Sequence, residues 1–195
     1  MKSRLSAMSF IITILFCVNV NAATKNINPG IHEDWGRRIN RLEIIKTFRT
    51  SDFGQLLIPD IDTSNAQFQL MENSLTEEDK LNLISQGKRI FINRIKDNPK
   101  NIKVVEMNYN IRSLIIKISI SQIGLQKKTA WWYSLSWVEI RGEIMDSLNN
   151  EILLKFETRR TTSVKELDND TIIKSIKIDF HELGGDLIDL ILSFN

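Results

Sequence analysis

The run His181, Glu182, Leu183, Gly184 begins like a zinc-protease motif, in which a second histidine one helical turn later completes the grip on the metal and the glutamate activates water. In this chain the position one turn on is Gly185, and His32 is the only other histidine. We therefore expect His181 to be a surface residue of a helix and expect no metal site. The same scarcity weighs against a Ser–His–Asp triad, since no serine sits in a Gly-x-Ser-x-Gly elbow. Two facing carboxylates can cleave a glycosidic bond unaided, and Glu139 and Glu143 are acids of that kind on one predicted strand. Acids so placed ordinarily form a solvated face. No cofactor motif is present, so no cofactor and no catalytic residue are expected.

The densest chemical feature is aromatic. Trp131, Trp132, Tyr133 and Trp137 place three of the four tryptophans within seven positions. Along a strand, Trp131, Tyr133, Leu135 and Trp137 share one face, while Trp132, Val138, Ile140 and Ile144 share the other, assigned to the core. If the first face is open, it is a contact patch for protein, glycan or lipid that Arg141 extends. If it is covered, it is ordinary packing, the commoner use of large aromatics. The candidate binding residues are thus Trp131, Tyr133, Trp137 and Arg141.

The elements that must position these residues begin after a leader. Lys2 and Arg4 precede an apolar run from Phe10 to Val18, the pattern of a secretory signal peptide over residues 1–22, with cleavage expected after Ala22. The run is shorter than the roughly 20 apolar residues a membrane helix needs, so no transmembrane span is expected in the mature chain. A lipid anchor on Cys17 is the competing reading, which Phe16 disfavours because lipoprotein processing requires a small residue there. Loss of the leader removes the only cysteine. It also removes Lys2 and Arg4, which turns 26 basic and 24 acidic residues into 24 of each. Such a balance argues against nucleic acid as a partner.

The remaining 173 residues suit one domain. Residues 23–50 are expected to form a loose leader with one brief helix, marked by Ile39, Leu42 and Ile45. Residues 51–195 are expected to form a single α+β domain. Phe53 to Ile61 reads as a first strand. Leu75 to Asp97 reads as a helix capped by Thr76, with an apolar stripe of Leu81, Ile84, the Lys88 stem, Phe91 and Ile95; Gly87 either weakens it or permits close approach. A short strand at Val104 and Val105 precedes three long ones, at Asn110 to Ile123, Trp131 to Met145 and Glu151 to Thr161, the last two joined by a turn through Asn149 and Asn150. Ile172, Ile176, Phe180, Leu183, Leu187, Leu190 and Phe194 trace a final helix that Gly184 and Gly185 could kink. The expected architecture is a mostly antiparallel sheet of about four to five strands with both helices on one face.

The stretch from Val138 to Ser147, with Asn150, Glu151, Ile152 and Leu153, then Arg159 and Arg160, resembles a family of exported bacterial envelope proteins of unknown function, many of them lipoproteins. In that family a strand ends in an aspartate, a polar turn follows, and the next strand ends near arginines. The run from Glu182 to Ile188 is similar as well. The family's turn carries Thr-Gly where this chain has Asn149 and Asn150, which also tolerate the left-handed conformation. The resemblance covers the C-terminal half, and its motifs imply a fold and no reaction.

Together these features point to a periplasmic or secreted protein that binds another envelope protein or assembles with itself. The alternative is a cell-wall glycan or peptide hydrolase working through carboxylates.

Overall fold

The computed structural model describes residues 39–69, 75–98, 102–106, 111–127, 134–165 and 167–194. The signal peptide, Cys17, His32, Trp131, Trp132 and Tyr133 lie outside them. All the described elements belong to the unit Glu33–Asn195.

Seven strands form one sheet: β1 Ile39–Ile44, β2 Gln55–Leu57, β3 Gln67–Gln69, β4 Val104–Val105, β5 Ser113–Lys127, β6 Ser134–Asp146 and β7 Glu151–Val164, in the order β1-β7-β6-β5-β2-β4, with β3 also on β5. The expectation of an α+β fold holds at this level, but two details differ. The described residues form seven strands rather than four to five, and the sheet is mixed: β2 runs parallel to β4 and β5, and β3 runs parallel to β5. The segment joining β2 to β3 follows β5 for much of its length, touching it again where Asp62 bridges Ser119.

Three residues expected in a leader helix belong to or adjoin a strand instead. Ile39–Ile44 pairs antiparallel with β7, Ile44 opposite Leu154. A register shift between Ile39 and Arg41 is the reason for the misleading spacing. The bulge inserts a residue, so Ile39 and Leu42, three apart, return to the same side of the strand, while Ile45 past its end is half-exposed.

The first helix, α1, spans Glu77–Lys96. Thr76 caps it reciprocally: its hydroxyl accepts from the Asp79 amide while Asp79 accepts from the Thr76 amide. Its buried face is Leu83, Gly87, Phe91 and Ile95, so the expected stripe is right at Phe91 and Ile95 and wrong at Leu81, which is 70% exposed. The second helix, α2, spans Asn169–Leu192, and the expected stripe from Ile172 to Leu190 is buried throughout, as is Phe194 just beyond it.

The glycine pair does not divide α2, which runs unbroken through it. Gly184 and Gly185 are buried against α1, where a Cβ on Gly184 would stand 2.8 Å from the Phe91 carbonyl oxygen. Gly87 answers from α1, with the Phe180 ring 2.3 Å from where its Cβ would be. These positions let the two helices approach closely, which is the second of the two roles expected for Gly87. In turn α2 packs on β6 and β7. The core is therefore built between α2 and the strand residues Leu114, Ile116, Ile118, Ile120, Val138, Ile140, Ile144, Leu154 and Phe156, each at 5% exposure or less. Full burial of such a side chain contributes on the order of 1.5–3 kcal/mol.

Candidate functional site

With α2 on one face of the sheet, the opposite face is left to polar side chains, and the register arranges them in rows. One row reads Arg41, Glu157, Arg141, Ser119, Asp62 across β1, β7, β6, β5 and the β2–β3 connection. The adjacent row reads Glu43, Lys155, Glu143, Lys117. On β1, β7 and β6 charge alternates across the strands and again along each strand, so neighbours there are of opposite sign in both directions. Arg141 Nε lies 3.3 Å from Glu157, and Lys155 Nζ lies 3.4 Å from Glu143. Being largely exposed, each such pair contributes little to stability.

These rows floor a depression of about 690 Å³, closed at one side by Pro59, Asp60 and Asp62. Asp60 is tied to Lys88 of α1 at 3.2 Å. The Ser64 backbone N–H donates to Asp62 at 2.9 Å, and hydrogen bonds from Ser64 hold the Asp62 carboxyl below its ordinary range. The strands supply the charges because their alternation sends Leu154 and Phe156 inward and Lys155 and Glu157 outward.

Beyond the charged rows the same face changes character. At Ser121 a bulge places Gln122 opposite Glu139 and brings Ile120 and Ile123 both into the core. Glu139, 4% exposed, is fixed by the Ser121 hydroxyl at 2.8 Å and by two bonds from Arg159 at 2.9 and 2.5 Å. Next along β6, Trp137 lies opposite Gly124, and a Cβ there would fall 2.0 Å from the indole ring. The Arg159 guanidinium stands 5.6 Å from the ring centroid on the same face, within reach of a cation–π attraction. Trp137 is 9% exposed, and its Nε1 has no partner among the described residues.

The four candidate binding residues thus separate. Trp137 is packed, Arg141 is open at 57% side-chain exposure and lines the depression, and Trp131 and Tyr133 lie outside the described residues. Trp137 and Arg141 share the face opposite α2, with Glu139 between them. Of the two acids singled out on β6, Glu139 is buried in its ion pair and Glu143 faces Lys155. His181 is half-exposed on α2, 3.5 Å from Glu182. Among the described residues no group of three or more His, Cys, Asp or Glu is placed to hold a metal, and no helix is long and apolar enough to cross a membrane. The sequence reading missed Asp60, Asp62 and Lys117 at this site, because their approach depends on the parallel course of residues 55–69 along β5.

No protein-family model matches this chain, and no curated protein matches it in sequence. Among solved structures it is similar to a Xanthomonas campestris protein of the family DUF330, at 9% identity and TM-score 0.47 over 77% of this chain and 92% of that one. It is similar to a minor lipoprotein of Acinetobacter baumannii, at 13% identity and TM-score 0.39 over 66% and 91%. A third is the PelC dodecamer from Paraburkholderia phytofirmans, at 10% identity and TM-score 0.37 over 73% and 94%. The likeness is coarse and assigns no activity. A family of unknown function and a lipoprotein are among these structures, the kind of protein that the C-terminal half of the sequence resembles.

Proposed function

We propose that this protein is a non-enzymatic binding or assembly module of the bacterial envelope, and that its contact surface is the face of the sheet opposite α2, centred on Arg141. The observation that carries this reading is the depression of about 690 Å³ on that face, whose lining includes exposed, alternating charges. A surface of this kind recognises a partner by shape and by paired hydrogen bonds, with little long-range steering by net charge. The predicted signal peptide supports export. The β1 edge contributes less, because its bulge and the charges of Arg41 and Glu43 blunt pairing with another strand.

The hydrolase alternative needs a carboxyl poised to give a proton and a second acid facing it. In the depression Glu143 and Glu157 face cations, Asp60 is bound to Lys88, and Asp62 is shifted the wrong way for a general acid. These contacts favour the binding reading.

Chemical crosslinking in envelope extracts, followed by size-exclusion chromatography, tests it with the wild type and the R141E/K155E pair of substitutions. Loss of a crosslinked species in a variant that melts like the wild type is the expected result. A strict monomer with no crosslinked species, or capture indifferent to both substitutions, would overturn the assignment of this face.

A further inference from the structure

On its sheet-facing side α2 carries two aspartates two helical turns apart, Asp179 at 1% exposure and Asp186 at 3%. Asp186 faces the guanidinium of Arg160 on β7. Asp179 faces two hydroxyls: Ser136 Oγ on β6 donates to Oδ2 at 2.7 Å, and Thr162 Oγ1 on β7 donates to Oδ1 at 2.7 Å. Neutral donors offset only part of the cost of burying a charge, so the site is better matched to a protonated carboxyl.

The geometry supplies a place for that proton. Ser136 Oγ also lies 3.4 Å from the Thr162 carbonyl oxygen. When Asp179 Oδ2 carries a proton it can donate to Ser136 Oγ, whose own hydrogen turns to the Thr162 carbonyl, while Thr162 Oγ1 continues to donate to Oδ1. Every polar group stays satisfied in that arrangement. After the proton leaves, the same pocket holds an anion with two neutral donors.

We propose that Asp179 is a proton-operated latch between α2 and the sheet, which holds the helix down while the carboxyl is protonated and loosens it once the proton is lost. The charged groups nearby do not alter this sense. Arg160 on β7 favours the anion but is engaged with Asp186; Glu182 on α2 disfavours it. On that face β6 presents Val138 and Ile140, and from α1 Arg94 lies against Gly184 and Gly185. Burial, outweighing the two hydroxyl bonds, pushes the Asp179 carboxyl up to about 7. With the folded value above the ordinary one, the folded state holds an extra proton between the two. The stabilisation is complete below the ordinary carboxyl range and disappears as pH rises through the folded value.

Amide hydrogen exchange of the whole chain, corrected for intrinsic rates, tests this at several pH values for the wild type and for D179N. The expected result is an α2 opening equilibrium near Ile176 to Leu183 that rises by up to about tenfold per pH unit between roughly pH 5 and 7, with little such dependence in D179N. Near pH 8 the α2 amides should exchange at least about tenfold faster than those of the β5–β6 ladder, a separate opening of lower free energy. Equal protection of helix and ladder there would mean that α2 opens only with the whole fold and would overturn the latch. Should D179N fail to fold, the carbon-13 resonance of the Asp179 carboxyl in the wild type decides alone. A midpoint near 7 supports the proposal, and one in the ordinary carboxylate range overturns it.

Discussion

Arg160 on β7 meets Asp186 on α2 fork to fork, Nε on one carboxylate oxygen and Nη2 on the other, with the Asp186 side chain 4% exposed. A bidentate pair of this kind ties helix to sheet with a fixed geometry. Removing one partner leaves the other charge buried. We expect R160A to lower the unfolding free energy by about 2–3 kcal/mol, somewhat below the value for a fully buried pair because Arg160 is partly exposed. By contrast R141A, on the open face, should cost less than about 1 kcal/mol. Urea denaturation of the two variants gives the comparison, and equal midpoints would remove Arg160–Asp186 as a tie between layers. The apolar double variant R160M/D186L should recover most of the loss.

The close approach of the helices gives a prediction opposite to helix propensity. Alanine in place of glycine within a helix ordinarily stabilises by about 1 kcal/mol. At Gly87 the new methyl would meet the Phe180 ring, and at Gly184 it would meet the Phe91 carbonyl oxygen. Backbone yields less readily than a ring, so G184A should destabilise by about 1–3 kcal/mol and G87A by less, as repacking of Phe180 relieves part of the strain. Thermal melts of both variants check the order. A stabilised G184A would show that the helices stand further apart than described.

The hairpin between β6 and β7 turns on one residue, Asn150, with φ of 56°. Asparagine is among the few residues other than glycine that enter this region at modest cost. N150G should therefore leave the melting temperature unchanged or raise it slightly. N150V should lower stability by about 1–2 kcal/mol, with the loss read in the same melts.

What the sequence disclosed follows the range of the forces involved. The α2 stripe and the three long strands were legible because a long helix or strand repeats its period many times. Where a bulge interrupts the period, the pattern misleads. At Ile39 and Arg41 it made a strand look helical, and at Ser121 it broke the alternation, while β5 runs on to Lys127. The short strands β2 and β3 offer too few residues for any period, and their parallel pairing with β5 is long-range. For that reason Asp60 and Asp62 could not be placed beside Lys117 and Arg141. Asp179 did leave a signal that went unread: it lies three residues after Ile176 and four before Leu183, a carboxylate inside an otherwise apolar stripe. A polar residue at a core position asks for a partner on the facing sheet.

The titration of the whole molecule should have two limbs of opposite sign. Asp146 accepts from Arg112 and is held below its ordinary value chiefly by that bond; Asp79 is lowered by Thr76, Asp168 by Thr171 and Glu151 by Lys46. Each of these contributes stability that is present above the ordinary carboxyl range and is lost as pH falls through the lowered folded value. Asp179 runs the other way, its contribution present below the ordinary range and lost as pH climbs toward about 7. The two limbs leave a maximum at roughly pH 4–5, more acidic than the usual plateau between about 5 and 8. Melting temperatures taken from about pH 3 to 8 at constant ionic strength should fall on both sides of that maximum. D179N should erase much of the fall on the alkaline side and leave the acid limb in place, because Asp146 and its arginine are untouched. A wild-type melting temperature that is flat or rising between about pH 5 and 7 would mean that Asp179 is ionised in the native protein throughout, with Arg160 offsetting its charge.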